Sequence, residues 1–153
     1  GVRGIRLKPN DFVVSMSLIP DEEKRFVLSV TENGFGKRTP IEEYRKTNRG
    51  GQGVANIECS ARNGPVVASY VASEDDQIML VTNSGKLIRI RVHGGEGDSI
   101  RIAGRKTQGV TLFDVDNNEK VVSVALLNES DDEDEGEDQD TTENNNVETN
   151  NDG

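Results

Sequence analysis

Short apolar runs recur along the chain, each closed by Gly, Asn, Asp or charged positions. One kind of run is Phe12-Val13-Val14-Ser15, matched by Pro65-Val66-Val67-Ala68-Ser69 and by Lys120-Val121-Val122-Ser123-Val124. A second kind is Phe26-Val27-Leu28-Ser29-Val30-Thr31, matched by Gln77-Ile78-Met79-Leu80-Val81-Thr82. Each of the second kind ends in a turn, Glu32-Asn33-Gly34 or Asn83-Ser84-Gly85. A further segment leaves each turn: Phe35-Gly36-Lys37-Arg38-Thr39 and Lys86-Leu87-Ile88-Arg89-Ile90-Arg91. These runs are short and rich in β-branched residues, which predicts strands. Asn33-Gly34 fits a tight type I′ hairpin turn, and residues 86–91 alternate partly between apolar and basic, as a strand with one wet face does. No window has the period of a good amphipathic helix; residues 41–45 allow one turn at most.

The runs fall into a repeating frame. Gly104-Arg105-Lys106-Thr107-Gln108-Gly109-Val110-Thr111-Leu112 recurs in weaker form at residues 49–57, and its second half recurs as Gly1-Val2-Arg3-Gly4-Ile5. Gly1, Gly53 and Gly109 therefore begin three copies, spaced by 52 and 56 residues. Four strands in a unit of this length match a propeller blade. The expected fold is all-β: a β-pinwheel or propeller-like array of four-stranded blades over residues 1–128.

Charge divides the chain differently. The whole sequence carries 18 basic and 28 acidic residues, for a net charge of −10. Residues 129–153 hold twelve of those acids, no Lys or Arg, and Val147 as their one aliphatic residue. Such a segment has too little apolar surface to offset its ordering entropy, and it is expected to be a disordered acidic tail. Without it, 16 acids face 18 bases, a net charge of +2. The bases cluster at Lys37-Arg38, at Arg45, Lys46 and Arg49, at Lys86, Arg89 and Arg91, and at Arg101, Arg105 and Lys106. All lie between the third run of one copy and the Gly-Val start of the next. Repeating units place equivalent segments on one rim, so a basic band is expected there. Such a band with few aromatic residues suits duplex phosphates; an acidic protein partner is the alternative.

Candidate chemistry is sparse. His93 is the single histidine, in a Gly-rich loop, which leaves no histidine triad or multi-histidine metal site. Cys59, also single, reads as a small packed hydrophobe and excludes an internal disulfide framework. Asp114, Asp116 and Glu119 read as turn residues, not as a cation site. Gly50-Gly51-Gln52-Gly53 does not join a strand to a helix and so is not a phosphate-cradling loop. Tyr44 and Tyr70 have no activating neighbour in sequence. No apolar run approaches the ~20 residues needed to cross a bilayer as a helix. An opening inside a repeat unit, without Met, fits a piece of a longer chain.

The motif Gly104-Arg105-Lys106-Thr107-Gln108-Gly109-Val110, with Asn33-Gly34-Phe35-Gly36-Lys37-Arg38-Thr39 and Glu43-Tyr44, resembles the C-terminal region of the A subunit of DNA gyrase over residues 1 to about 128. The corresponding region of topoisomerase IV, with fewer and more degenerate blades, is the second resemblance. The resemblance implies a β-pinwheel with strands exchanged between neighbours, whose basic rim bends duplex DNA. It also implies a bacterial, cytoplasmic parent: an ATP-dependent type II topoisomerase that introduces negative supercoils, with Mg and ATP on other domains or subunits and the gyrase B protein as partner in an A2B2 heterotetramer. This piece would be non-catalytic and bind no cofactor itself. By resemblance, DNA contact falls on Lys37, Arg38, Arg45, Lys46, Arg49, Lys86, Arg89, Arg91, Arg105 and Lys106. The family's basic box, Gln-Arg-Arg-Gly-Gly-Lys-Gly, is absent; Arg49-Gly50-Gly51-Gln52-Gly53 is a degenerate relative. That box belongs to the first blade, so its absence fits the last two or so blades. The acidic tail reads either as a solubilising disordered end or as a competitor with DNA for the rim.

Overall fold

The computed structural model describes residues 1–20, 24–94 and 99–128. The predicted acidic tail, residues 129–153, lies outside the described residues. Seven strands form in chain order: β1 (Phe26–Thr31), β2 (Phe35–Pro40), β3 (Val66–Ala72), β4 (Gln77–Thr82), β5 (Leu87–Arg91), β6 (Val110–Thr111) and β7 (Val121–Leu127). Among the described residues the one helical element is a single 3-10 turn, Ile41–Glu43.

The strands pair across the repeat boundaries. One sheet has the order β3-β1-β2-β6, the other β5-β4-β7, and every strand pair is antiparallel. The hairpin β1–β2 of the first copy thus takes β3 from the second copy and β6 from the third. The hairpin β4–β5 takes β7 in the place that β3 holds in the first sheet. Even the irregularities match: a register shift falls between Val30 and Thr31 against β3, and between Val81 and Thr82 against β7. The repeat is therefore real in three dimensions, and exchanged strands hold it together. Four strands per blade holds for the first sheet; in the second, no described residue fills the place beside β5 that β6 holds beside β2.

The run at residues 12–15 departs from expectation. It forms no strand, and Phe12, Val14 and Met16 are exposed, Met16 by 90%. The register explains this. The equivalent runs, β3 and β7, each pair with the hairpin of the preceding copy, and no described residue supplies such a hairpin for residues 12–15. The run is anchored at Ser15, whose Oγ donates to the Ser69 carbonyl at 2.9 Å.

The first hairpin turn also differs from the expected type I′. Gly34 has φ 77°, but neither Glu32 nor Asn33 has positive φ, and the Gly34 amide donates to the Thr31 carbonyl at 3.1 Å. This is a three-residue loop with glycine in the left-handed position. Gly85, with φ 84° and a 3.0 Å bond to Thr82, repeats it.

The two sheets share one core. Leu28, Val30, Ala68 and Ala72 from the first meet Ile78, Leu80, Val121 and Val124 from the second, with Val92 and Ile100 between. Each fully buried Val, Leu or Ile stabilises the packing by about 1.5–3 kcal/mol. The Tyr70 hydroxyl donates to the Val124 carbonyl at 2.5 Å and ties the sheets where they meet. On the other face of β1 the layer is polar. Ser29 is buried there, bonded to Ser69 at 2.7 Å and to Asn56 at 2.6 Å, and Asn56 accepts from the Tyr44 hydroxyl. Tyr44 is thus a packing residue, and burial raises its pKa above the ordinary tyrosine value.

Candidate nucleic-acid interface

Two sequence motifs that lie far apart in the chain meet along the outer edge of β2. The Arg38 amide donates to the Arg101 carbonyl and the Ala103 amide returns to the Arg38 carbonyl, both at 3.0 Å. The chain then reverses through residues 104–107, where the Thr107 hydroxyl caps the Gly104 carbonyl at 2.9 Å. It returns as β6, pairing Val110 with Gly36 and Thr111 with Phe35. The Gly-Lys-Arg-Thr segment of β2 thus meets the Gly-Arg-Lys-Thr-Gln-Gly-Val segment at Gly36 and Lys37, while Arg38 and Thr39 meet residues 100–103 just before it.

Side chains complete this seam. The Lys37 ammonium is fully buried and donates to the carbonyls of Gly104 and of Arg105, the latter at 2.9 Å. Burial lowers its pKa, partly offset by Glu43. Arg38 is also buried: its Nε donates to the Ile100 carbonyl at 2.8 Å and its guanidinium lies 4.8 Å from the Phe26 ring centroid. The Glu74 carboxylate is 3.7 Å away. The Thr39 hydroxyl donates to the Ala103 carbonyl at 2.7 Å.

This placement corrects the expectation for Lys37 and Arg38. They are not on a rim, because the returning segment covers them and its carbonyls engage their charged ends. Lys86 is compromised in a different way. Its ammonium donates to Asp116 at 2.9 Å and to Glu119 at 3.0 Å, and these bonds raise its pKa. Glu119 in turn accepts from Thr82 at 2.8 Å, from Ser84, and from the Asp116 amide at 3.0 Å. Those hydrogen bonds, Ser84 first, hold its carboxyl down at about 2. Residues 116–119 are indeed a turn, and its acidic end locks the β4–β5 loop.

The remaining predicted cations are at the surface. Arg45, Lys46 and Arg49 are exposed after the 3-10 turn, Lys106 is exposed in the 104–107 reversal, and Arg89 and Arg91 are exposed on one face of β5. Arg105 is half-buried, its guanidinium 6.0 Å from the Tyr44 ring centroid and bonded to the Ala55 carbonyl at 2.9 Å. The Tyr44–Arg105 pair brings the 45–49 cluster and the 105–106 cluster together. Arg89 and Arg91 belong to the other sheet, and Arg89 bonds Gln77 at 2.6 Å.

Sequence reasoning missed one neighbour of this surface. Arg3, Arg6 and Lys8 are exposed, and backbone bonds from Gly50 to Gly4 at 2.8 Å and from Arg6 to Gly51 at 2.7 Å lay that segment beside Arg49. Only the recurrence of Gly-rich turns at both places hinted at the pairing. Cys59 is a second correction: it is exposed, because residues 58–62 run over the surface instead of joining a sheet. His93 is exposed, bonded to Ser99 at 3.0 Å. Among the described residues no group of His, Cys, Asp or Glu has the makings of a metal site.

Sheets assembled from the exchanged strands of a repeating unit, with cationic connections beside them, define a propeller-type blade array. The sequence profile of the DNA gyrase C-terminal domain, beta-propeller, matches residues 1–20, 25–64 and 76–128, and the chain belongs to that family. The DNA gyrase A protein of Rickettsia bellii (strain RML369-C) is 49% identical over 112 residues, covering 73% of this chain and 12% of that protein. That of Staphylococcus epidermidis (strain ATCC 12228 / FDA PCI 1200) is 42% identical over 132 residues, covering 86% and 14%. The chain thus spans about one eighth of the length of such relatives. Among solved structures, the C-terminal domain of DNA topoisomerase IV superposes with a TM-score of 0.72 at 29% identity, over 83% of this chain and 38% of that one. The DNA gyrase A C-terminal domain gives 0.61 at 30% identity, over 69% and 34%.

Proposed function

We propose that this chain binds duplex DNA and bends it around its surface, as the wrapping region of a DNA gyrase A protein. The observation that carries the reading is the contact between Tyr44 and the half-buried Arg105, which joins the segment before the exposed Arg45, Lys46 and Arg49 to that of the exposed Lys106, from a separate copy. Arg45, Lys46, Arg49, Arg89, Arg91, Arg105 and Lys106 are the proposed phosphate contacts; the exposed Arg3, Arg6 and Lys8 extend them. Contacts of this kind position DNA without reading its sequence, and they act by displacing counterions. The parent would be an ATP-dependent type II topoisomerase acting in the bacterial cytoplasm with the gyrase B protein, and this region would supply wrapping but no strand cleavage. Among the described residues no helix is long and apolar enough to cross a membrane.

The higher TM-score of the topoisomerase IV domain favours that sister enzyme as a second reading. Identities of 42–50% to gyrase A proteins weigh more, because blade geometry is common to both.

The test is the affinity of the full chain for two unrelated duplexes across a salt series. Wrapping predicts equal affinities that fall steeply with salt, and faster ligation of short duplexes into circles. A shallow salt slope, or no binding, would favour a protein-interaction module instead.

A further inference from the structure

Lys37 is an unusual use of charge. An ammonium gains most when it faces water or an anion, yet this one is fully buried against two neutral carbonyls. Those carbonyls, of Gly104 and Arg105, sit where the chain turns back on itself and no strand ladder accepts them. One ammonium engages both. Without that ammonium the half-covered Arg105 carbonyl would lose a partner, at a desolvation penalty, while the Gly104 carbonyl would keep the Thr107 hydroxyl. The neighbouring bonds act on the same few residues: Thr39 holds the Ala103 carbonyl, and Glu43 accepts from the Arg105 amide at 3.3 Å.

The second hairpin shows that the fold alone does not demand a lysine here. Val30 pairs with Gly36 and Val81 with Leu87, so the counterpart of Lys37 is Ile88 and that of Arg38 is Arg89. In that hairpin no described segment returns along the edge, and Arg89 is exposed. Ile88 packs against the core between the sheets, whereas Lys37 lies on the polar face with Ser29, under the covering reversal.

We propose that Lys37 is a positioning residue of the DNA surface: its ammonium fixes the 104–107 reversal and so sets where Arg105 and Lys106 meet the phosphates. This rests on the wrapping reading and adds a division of labour within one motif pair. The lysine of Gly-Lys-Arg-Thr acts on DNA through the loop it holds and touches no phosphate itself.

The experiment is a mutant cycle in the full chain, read by DNA affinity over a salt series. K37M should weaken binding several-fold, by about as much as the double variant R105A/K106A. Combining all three substitutions should add little, because the same phosphate interactions are already gone. T39V, which changes no charge, should shift affinity in the same direction. Faster hydrogen exchange in residues 104–107 of K37M, with β4 unchanged, should accompany the loss. Full additivity of K37M with R105A/K106A, or normal affinity and exchange in T39V, would overturn the proposal. T39V decides the matter if K37M does not fold. Absence of salt-dependent binding by the unaltered chain would instead overturn the wrapping reading, while the exchange measurement still reports whether Lys37 holds the loop.

Discussion

Gly109 lies so close to Gly36 that a Cβ placed on it would stand 2.6 Å from the Gly36 carbonyl oxygen. The two glycines belong to the two motifs that meet along β2, and their backbones touch where β6 joins the sheet. Gly109 also has φ 77°, a region that side chains disfavour. G109A should therefore destabilise the fold by two separate effects, strain and a backbone clash. G85A, at φ 84° with open space around it, carries the strain alone. Denaturant titration should show a loss of about 1 kcal/mol for G85A and clearly more for G109A. Equal losses would mean that the Gly36–Gly109 approach relaxes at no cost.

Reversing Arg89 and Arg91 to Glu tests the cationic face of β5. Both residues point to the same side of the strand, because strand side chains alternate. R89E/R91E should weaken binding to all duplexes alike, with a salt slope shallower by about 0.9 for each phosphate no longer neutralised. A loss confined to one DNA sequence would point to base recognition and contradict distributed phosphate binding.

Glu119 gives the chain an acid-sensitive joint. Its carboxyl sits at about 2 in the folded state against an ordinary 4.5, so folding favours the charged form. The resulting stabilisation is complete above the unfolded value and is lost as pH falls from about 4.5 towards 2. The melting temperature should drop through that window. In E119Q it should start lower at neutral pH and drop less on acidification, because the glutamine cannot titrate. An identical acid profile in E119Q would place the sensitivity elsewhere.

Removing residues 129–153 takes away twelve acids and leaves a net charge of +2. If the acidic segment competes with DNA for the cationic surface, cutting after Asn128 should tighten binding at low salt, and the gain should shrink as salt screens the attraction. The same affinity at every salt concentration would count against competition.

Much of the architecture was legible because strands impose a short, local pattern. The apolar runs at 26–31 and 77–82 and the Gly-bearing loops after them needed only neighbouring residues to be read. Apart from the local turn type at Asn33-Gly34, the failures share one cause, which is partnership at long range. Lys37 looks like a surface cation until a segment beginning at Ile100 covers it. Residues 12–15 look like a strand, yet a strand needs a hairpin to pair with. Lys86 reads as a free base because its carboxylates, Asp116 and Glu119, come some thirty residues later in the chain. The exposed cations 45–49 needed no such partner, and composition alone placed them correctly at the surface.

The exchange of strands also governs when the chain becomes a protein. The first sheet opens at Phe26 and is not complete until Thr111 has been made. At typical synthesis rates that interval is roughly 4 to 17 s, during which the edge of β2 stays uncovered and prone to wrong pairing. Repeats that touch only their neighbours can be trimmed one by one, each loss subtracting a unit. Here the third copy closes the sheet that the first began. Shortening the chain from its end therefore opens its beginning.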